Sequence, residues 1–407
     1  MTETRNYWQY AILAVVLGWI SPGYGAVPTA ELEAIRAGGG GTELSGLVVA
    51  TIDARGRLKT AAQGCARFAV DGRRCALPLR TNGIMRIASI SKLVTAAEVV
   101  RRVRQGRLSL DQDVSLLAGF KLRNPAFPDQ PITLRQLLNH TSSIIDQEQY
   151  WLPWPQRLDG HTVSTHRFDA AHAPGQYFRY SNFNFVLLGQ ILERRIGRRF
   201  SELMARGQFR RPRIDAGYNW RDMRRVDADR VVTLYRRQLD HGTWIADGPW
   251  YAQVDDFAGG APTVAALSNY QPGDNASVFS PHGGLRIALP DLARWLSALD
   301  RETFADMRAN PFVLNPDGSN GDSESGFYRS FGLGIHSSDI PGIGEVWGHF
   351  GEAYGLRAAV LRDPHSPRVW AYAVTGFGAD PDRDPSQAVR GLDPAQQAVL
   401  RLLGRGL

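Results

Sequence analysis

Strand-like runs stand near the two ends of the chain, and helix-like runs fill what lies between. Leu47-Val48-Val49-Ala50-Thr51-Ile52 is apolar and β-branched, Asp53-Ala54-Arg55-Gly56 has turn composition, and Arg57 to Ala62 supplies a hairpin partner. Comparable runs return at Gly355 to Arg362 and Arg368 to Thr375, around the turn Asp363-Pro364-His365-Ser366-Pro367. Between them, apolar spacing predicts helices over Ser89 to Arg104, Thr133 to His140, Asn182 to Ile196, Phe200 to Met204 and Asp291 to Leu299, with a last helix over Pro394 to Leu403. Strands so far apart in sequence bury their faces most simply by joining one antiparallel sheet. The expectation is therefore an α/β (α+β) chain. Residues 27–88 and about 325–407 form its body, and about 89–324 form a mainly helical insert.

The first 26 residues read as an export segment. Arg5 gives a basic start, Tyr7 to Ile20 is mostly apolar, and Gly23, Gly25 and Ala26 offer small-residue cleavage points. The apolar run falls short of the roughly 20 residues a bilayer span needs. Residues 1–26 are thus expected to be a signal peptide, or an N-terminal anchor, ahead of a domain over 27–407. That places the protein outside the cytoplasm, periplasmic or secreted, with membrane contact only through an uncleaved segment. The two cysteines, Cys65 and Cys75, flank the turn-like Val70-Asp71-Gly72. In an oxidising compartment they are disulfide candidates; the alternative is two buried thiols. No Cys-His spacing suits a metal. The net charge of +7 includes an Arg-rich stretch between Arg194 and Arg225, which fits a solvated basic face or an anionic envelope polymer. No nucleic-acid-binding motif accompanies it, so nucleic acid is not an expected partner.

Chemistry concentrates in three short runs. Ser89 and Lys92 lie three apart on a helix, within reach of each other. Of 47 Lys plus Arg, only Lys59, Lys92 and Lys121 are Lys, and Lys, unlike Arg, can lose its proton and act as a base. Tyr180-Ser181-Asn182 opens an apolar helix and pairs a phenol with an amide. Gly348-His349-Phe350-Gly351 enters a strand, where glycine lets a substrate lie close to the edge. Each run also has a plain structural reading: a capping Ser, a helix start, a core His. Aromatics crowd the insert at Tyr150, Trp151, Trp154, Tyr177 and Phe178, as core or as a wall for an apolar substrate. Asp317-Gly318-Ser319-Asn320-Gly321-Asp322 fails the calcium-loop spacing and reads as a flexible surface loop.

Taken in order, Ser89-x-x-Lys92, Tyr180-x-Asn182 and His349-x-Gly351 resemble the motifs of the penicillin-recognising serine hydrolases: class C β-lactamases, D-alanyl-D-alanine carboxypeptidases and family VIII esterases. Leu137-Leu138-Asn139-His140-Thr141-Ser142, Ser280-Pro281-His282-Gly283-Gly284-Leu285 and Phe331-Gly332-Leu333-Gly334 look like supporting stretches of the same family. The resemblance covers about residues 45–403 and implies a β-lactamase/transpeptidase-like fold. It implies Ser89 as nucleophile, Lys92 as base and Tyr180 as proton relay, a task a phenol can perform if nearby cations lower its pKa. Asn182 would orient the substrate or Lys92, His349, Phe350 and Gly351 would line the substrate, and the backbone N–H groups of Ser89 and Glu352 would form the oxyanion hole. For Lys92 to serve, its pKa must fall by roughly three units, through burial and neighbouring positive charge. No cofactor is implied.

Two departures bear on substrate. Phe350 stands where many relatives carry a hydroxyl that holds a substrate carboxylate, and His349 stands where many carry Lys. Ser143 replaces a common Gly. The expected function is an exported serine hydrolase forming an acyl-enzyme on an ester or amide. The alternatives are a β-lactamase or D-alanyl-D-alanine carboxypeptidase, or a catalytically slow ligand-binding or sensor protein. The expected partners are small-molecule or peptide substrates, cell-wall fragments among them.

Overall fold

The computed structural model describes residues 29–39, 43–147, 150–160, 167–210, 213–218, 223, 227–237, 243, 245, 247–253, 267–324, 326–378 and 392–406. The segment read as a signal peptide and part of the Arg194–Arg225 stretch lie outside the described residues. Nine strands form one antiparallel sheet. Its spatial order is Phe312–Val313, Ser330–Phe331, His336–Ile340, Gly344–Ala353, Leu356–Arg362, Val369–Thr375, Gly46–Ile52, Leu58–Phe68 and Cys75–Pro78. The two ends of the chain meet at its centre, where Gly46–Ile52 pairs with Val369–Thr375 from Gly46 opposite Thr375 to Ile52 opposite Val369.

The central strands read as nearly continuous apolar runs because both faces are covered. Val48, Ala50, Ala358, Val360, Ala371 and Ala373 join the core shared with the helical insert. The alternate residues Leu47, Val49, Ala359, Leu361, Tyr372 and Val374 join a second core with Leu32 and Ile35 of the Thr29–Arg36 helix and Val399 and Leu403 of the Pro394–Gly404 helix. On the insert side the Ile90–Arg104 and Leu289–Ala298 helices lie against the sheet. Ile90–Arg104 is buried nearly all round, and its buried polar residues are partnered: Glu98 accepts from Arg101 and Arg102.

The sheet takes more of the chain than the sequence reading assigned to it: it begins at Phe312, ahead of the expected boundary near 325. The hairpin partner of the first strand also runs on to Phe68. Cys65 and Cys75 are joined in a disulfide that ties the edge hairpin. The 317–322 segment is not free. Gly321 bridges to Phe178, the Phe178 N–H donates to the Asn320 carbonyl at 2.8 Å, and the Asp322 N–H donates to the Phe178 carbonyl at 3.1 Å. Among the described residues no helix is long and apolar enough to cross a membrane.

Candidate active site

Ser89 sits at the N-terminus of the Ile90–Arg104 helix, yet its side chain makes no capping bond there. The hydroxyl is left for other partners, which removes the plain reading of Ser89 as a helix cap. The residue before it, Ala88, takes a left-handed φ of 48° while buried, a turn that an L-residue adopts only under restraint. That restraint is visible. Ser91 Oγ donates to the Ala88 carbonyl at 2.6 Å and accepts from the Leu285 N–H at 2.9 Å. Gly351 passes so close that a Cβ there would strike the Ile87 carbonyl oxygen, so the strand can approach the nucleophile's turn only without a side chain.

Lys92 is fully buried one turn further on. Its Nζ lies 2.7 Å from Asn182 Oδ1, 3.0 Å from the His282 carbonyl oxygen and 3.0 Å from Ser89 Oγ. The first two are acceptors only. A neutral amine has two N–H bonds, so both are used there and its lone pair faces the Ser89 hydroxyl. Burial pushes the Lys92 pKa down to about 7, with the Asp146 carboxylate pulling the other way. Desolvation thus supplies the shift; the expected help from neighbouring positive charge is absent, and the nearest resolved charge effect opposes it.

Tyr180 faces Ser89 in the same cleft, and Lys92 Nζ stands 4.8 Å from the centre of its ring. The ring stacks on His140 at 4.4 Å and lies parallel to Tyr328 at 5.9 Å. Burial drives the Tyr180 pKa well above its ordinary value, with Ser89 lowering it and Glu324, Asp146 and Tyr150 raising it. The expectation of a lowered phenol pKa is corrected by this. Tyr180 rests protonated, able to donate and pass on a proton but not to serve as the resting base.

Asn182 opens the Asn182–Ile196 helix, and Ser181 before it makes no capping bond within that helix. The cap comes from across the insert. Asp146 accepts from Ser181 Oγ at 2.7 Å, the Asn182 N–H at 2.7 Å, Asn182 Nδ2 at 2.9 Å and the Phe183 N–H at 3.0 Å. Asn182 is thereby spanned between Asp146 and Lys92, with its carbonyl oxygen turned to the amine. Of the two roles expected for it, the geometry fits orienting Lys92.

His349 is buried and held neutral, its pKa pushed well down by burial and then by His336 and Lys92. Its Nδ1 is 2.5 Å from the Phe350 carbonyl oxygen, so that nitrogen carries the proton. Phe350 faces the other way, into the core under the Pro394–Gly404 helix, edge to face with Phe327 at 4.7 Å. Ser89, Tyr180, Asn182, Phe350, Gly351 and Glu352 line one open cleft of ≈ 540 Å³. The cation nearest its sheet side, Arg357, is engaged by Asp393 at 2.7 Å and Glu352 at 3.1 Å. Among the described residues no group of His, Cys, Asp and Glu could hold a metal ion.

Two contributors were not anticipated. Asp146 belongs to no motif, and an isolated acid in Ile144-Ile145-Asp146 carries no sequence signal of what it caps. The His282 carbonyl is backbone, which sequence does not display. Its segment was visible, however, and it wraps the nucleophile's helix: Arg86 Nε donates to the Gly283 carbonyl at 2.8 Å and Thr95 Oγ1 to the Pro281 carbonyl at 2.8 Å. Of the aromatics, Tyr150 reaches the site, edge on to His282 at 5.0 Å, while Phe178 is buried beside Phe331.

A family model described as Beta-lactamase matches residues 33–392. A penicillin-binding protein of Bacillus subtilis (strain 168) is 28% identical over 304 residues, which is 70% of this chain and 59% of that protein. The chain therefore spans less than two thirds of that relative's length. The D-alanyl-D-alanine-carboxypeptidase/endopeptidase AmpH of Escherichia coli (strain K12) is 32% identical over 129 residues, covering 30% of this chain and 33% of AmpH. Among solved structures, D-amino acid amidase from Ochrobactrum anthropi SV3 superposes with a TM-score of 0.64 at 18% identity, over 92% of this chain and 98% of the amidase. A beta-lactamase/D-alanine carboxypeptidase from Yersinia pestis does so with a TM-score of 0.62 at 17% identity, over 91% and 96% of the two chains. At such identities the structural likeness is one of fold.

Proposed function

Since the chain belongs to the serine β-lactamase family, we propose that it is an exported hydrolase that cleaves an ester or amide through an acyl-enzyme on Ser89. The observation that carries this reading is the buried Lys92 amine, 3.0 Å from Ser89 Oγ with two other acceptors for its N–H groups. Lys92 takes the Ser89 proton as Oγ attacks the carbonyl carbon. The negative oxygen that develops is received by the N–H groups of Ser89 and Glu352; losing one such donor typically costs about a hundredfold or more in rate. Tyr180, protonated at rest, hands a proton to the leaving group and recovers one from the Lys92 ammonium, whose nitrogen stands 4.8 Å from its ring centre. Water then releases the acyl group by the reverse sequence. No step calls for a metal or organic cofactor.

Substrate choice follows from what the sheet side lacks. Phe350 offers no hydroxyl, neutral His349 no charge, and Arg357 is already paired with two carboxylates. A substrate carboxylate would be desolvated there without a dedicated partner, which disfavours penicillins and peptide C-termini. The relatives named as a penicillin-binding protein and a D-alanyl-D-alanine carboxypeptidase keep that chemistry as the second reading. A slow binder or sensor has no use for the Ser89–Lys92 geometry.

The test is intact mass after brief exposure to p-nitrophenyl acetate or to benzylpenicillin, with product release followed in parallel. The expected result is ester turnover and a transient acetyl adduct, both absent from Ser89→Ala, with no penicillin adduct. A penicillin adduct or rapid β-lactam loss would put the second reading first. Neither turnover nor adduct, with ligand binding intact, would leave a binding protein.

A further inference from the structure

The leaving-group side of the Ser89 cleft holds a carboxylate without a counter-charge. Among the described residues, the charged side chains lining the cleft are Glu324, Glu352 and Arg357. Arg357 is taken by Glu352 at 3.1 Å and by Asp393 at 2.7 Å, so Glu324 is the one left over. Burial in the cleft wall raises the Glu324 pKa, Asp322 and Glu352 raise it further, and among the described residues no positive group opposes them. The turn that presents Glu324 is well tied. Its φ of 47° is left-handed, a conformation that costs energy for a residue with a Cβ. The Glu324 N–H donates to Asp322 Oδ1 at 3.0 Å, the Phe327 N–H to the Glu324 carbonyl at 3.2 Å and the Tyr328 N–H to the Ser323 carbonyl at 3.0 Å. Phe327, at the other end of this turn, is half-buried, with part of its ring open to the cleft. Tyr328 and Phe350 pack edge to face against it at 4.9 Å and 4.7 Å.

We propose that the cleft selects substrates whose leaving group carries an alkylated ammonium, seated between the Glu324 carboxylate and the Phe327 ring. The proposal deepens the hydrolase reading above and rests on it. A carboxylate beside an aromatic ring attracts a cation twice over, through its charge and through the ring's quadrupole. A bare ammonium brings three N–H donors, whereas this wall offers one free carboxylate backed by rings, which suits N-alkyl groups. The side of the substrate follows from Tyr180. That phenol protonates the leaving group, and of the charges acting on it Glu324 comes first. The same carboxylate repels an acidic leaving group, so the cleft discriminates by charge as well as by the hydroxyl that Phe350 lacks.

Acetylcholine and 3,3-dimethylbutyl acetate have leaving groups of one shape, built on a quaternary nitrogen in the first and a quaternary carbon in the second. Their kcat/KM ratio is measured at pH 8, in low and high salt, on the wild type, Glu324→Gln and Glu324→Gly. Reading the ratio within each enzyme cancels any general loss of activity. Glycine suits the φ of 47°, so one variant remains should the other not fold. The wild type should favour acetylcholine by about tenfold in low salt, the scale of a partly exposed ion pair joined to a cation–π contact, and by less in high salt. Both variants should bring the preference to about threefold or less. In parallel, calorimetry measures binding of the two esters to Ser89→Ala with and without Glu324→Gln, which needs no turnover. Hydrolysis with a wild-type ratio near one, or a preference that survives loss of Glu324, would overturn the cation site and leave the hydrolase reading standing. A Glu324-dependent preference in binding, with neither ester hydrolysed, would uphold the site and overturn the hydrolase reading. Neither turnover nor preference would overturn both.

Discussion

At Lys92 the usual cost of burying an amine is turned into basicity. With its pKa near 7, the rate on a neutral ester should rise about tenfold per pH unit below that value and level off above pH ~8. Asp146 favours the charged amine, so Asp146→Asn should move that rising limb to lower pH, by about one pH unit. A merely structural loss would lower the plateau and leave the midpoint in place. The sign of the stability effect is opposite to that of a salt-bridged Lys. The folded chain loses its proton near pH 7 and the unfolded chain near 10.4, so this group makes unfolding harder as pH rises through that window. Urea titrations of wild type and Lys92→Met at pH 7 and 10 check it, since only the wild type should gain. That Ser89, Lys92, Tyr180 and Asn182 would gather was legible because each belongs to a motif whose spacing survives in sequence. Asp146 was not, because a cap supplied from another segment leaves no local pattern.

Among the elements, apolar strands and helices with apolar spacing were readable, the Asn182–Ile196 helix beside the cleft among them, and polar strands were not. Gly46–Ile52, Leu356–Arg362 and Val369–Thr375 are apolar runs, and their limits follow the sequence closely. His336–Ile340, His-Ser-Ser-Asp-Ile, and Ser330–Phe331 have no such pattern; tertiary pairing makes them strands, and their polar groups find partners such as Ser330 Oγ with Ser337 Oγ at 2.7 Å. Backbone conformation also accounts for one departure from the family pattern. Ser143 has φ of 64°, the left-handed region where Gly is at ease, and its hydroxyl accepts from Asn124 Nδ2 at 3.0 Å. Ser143→Gly relieves the backbone while losing that bond, so stability should change by less than about 1 kcal/mol. Ser143→Val keeps the conformation's cost, adds a β-branch and leaves one Asn124 N–H unpaired while the other keeps the Asp169 carbonyl, for a loss of about 2–4 kcal/mol in urea denaturation.

For the whole molecule, stability and catalysis are separable. The Cys65–Cys75 disulfide ties the far edge hairpin of the sheet, whereas the strand carrying His349 is five positions inward from the edge strand that carries Cys75. Reduction, or Cys65→Ala with Cys75→Ala, should therefore cost about 2–3 kcal/mol of stability with little change in kcat, read by thermal melts and ester turnover on the same samples. The single antiparallel sheet built from both ends was legible from the placement of apolar runs at the two ends of the chain. Its extent was not, since the sheet recruits polar strands from Phe312 onward. One feature of that sheet governs how the molecule is made. Gly46–Ile52 cannot complete its pairing until Val369–Thr375 has left the ribosome, so most of the chain must emerge before the sheet's centre can close. The early hairpin meanwhile presents an unpaired apolar edge. A chain built this way is kept open through nearly all of its synthesis, and would depend on holdase chaperones over just that interval.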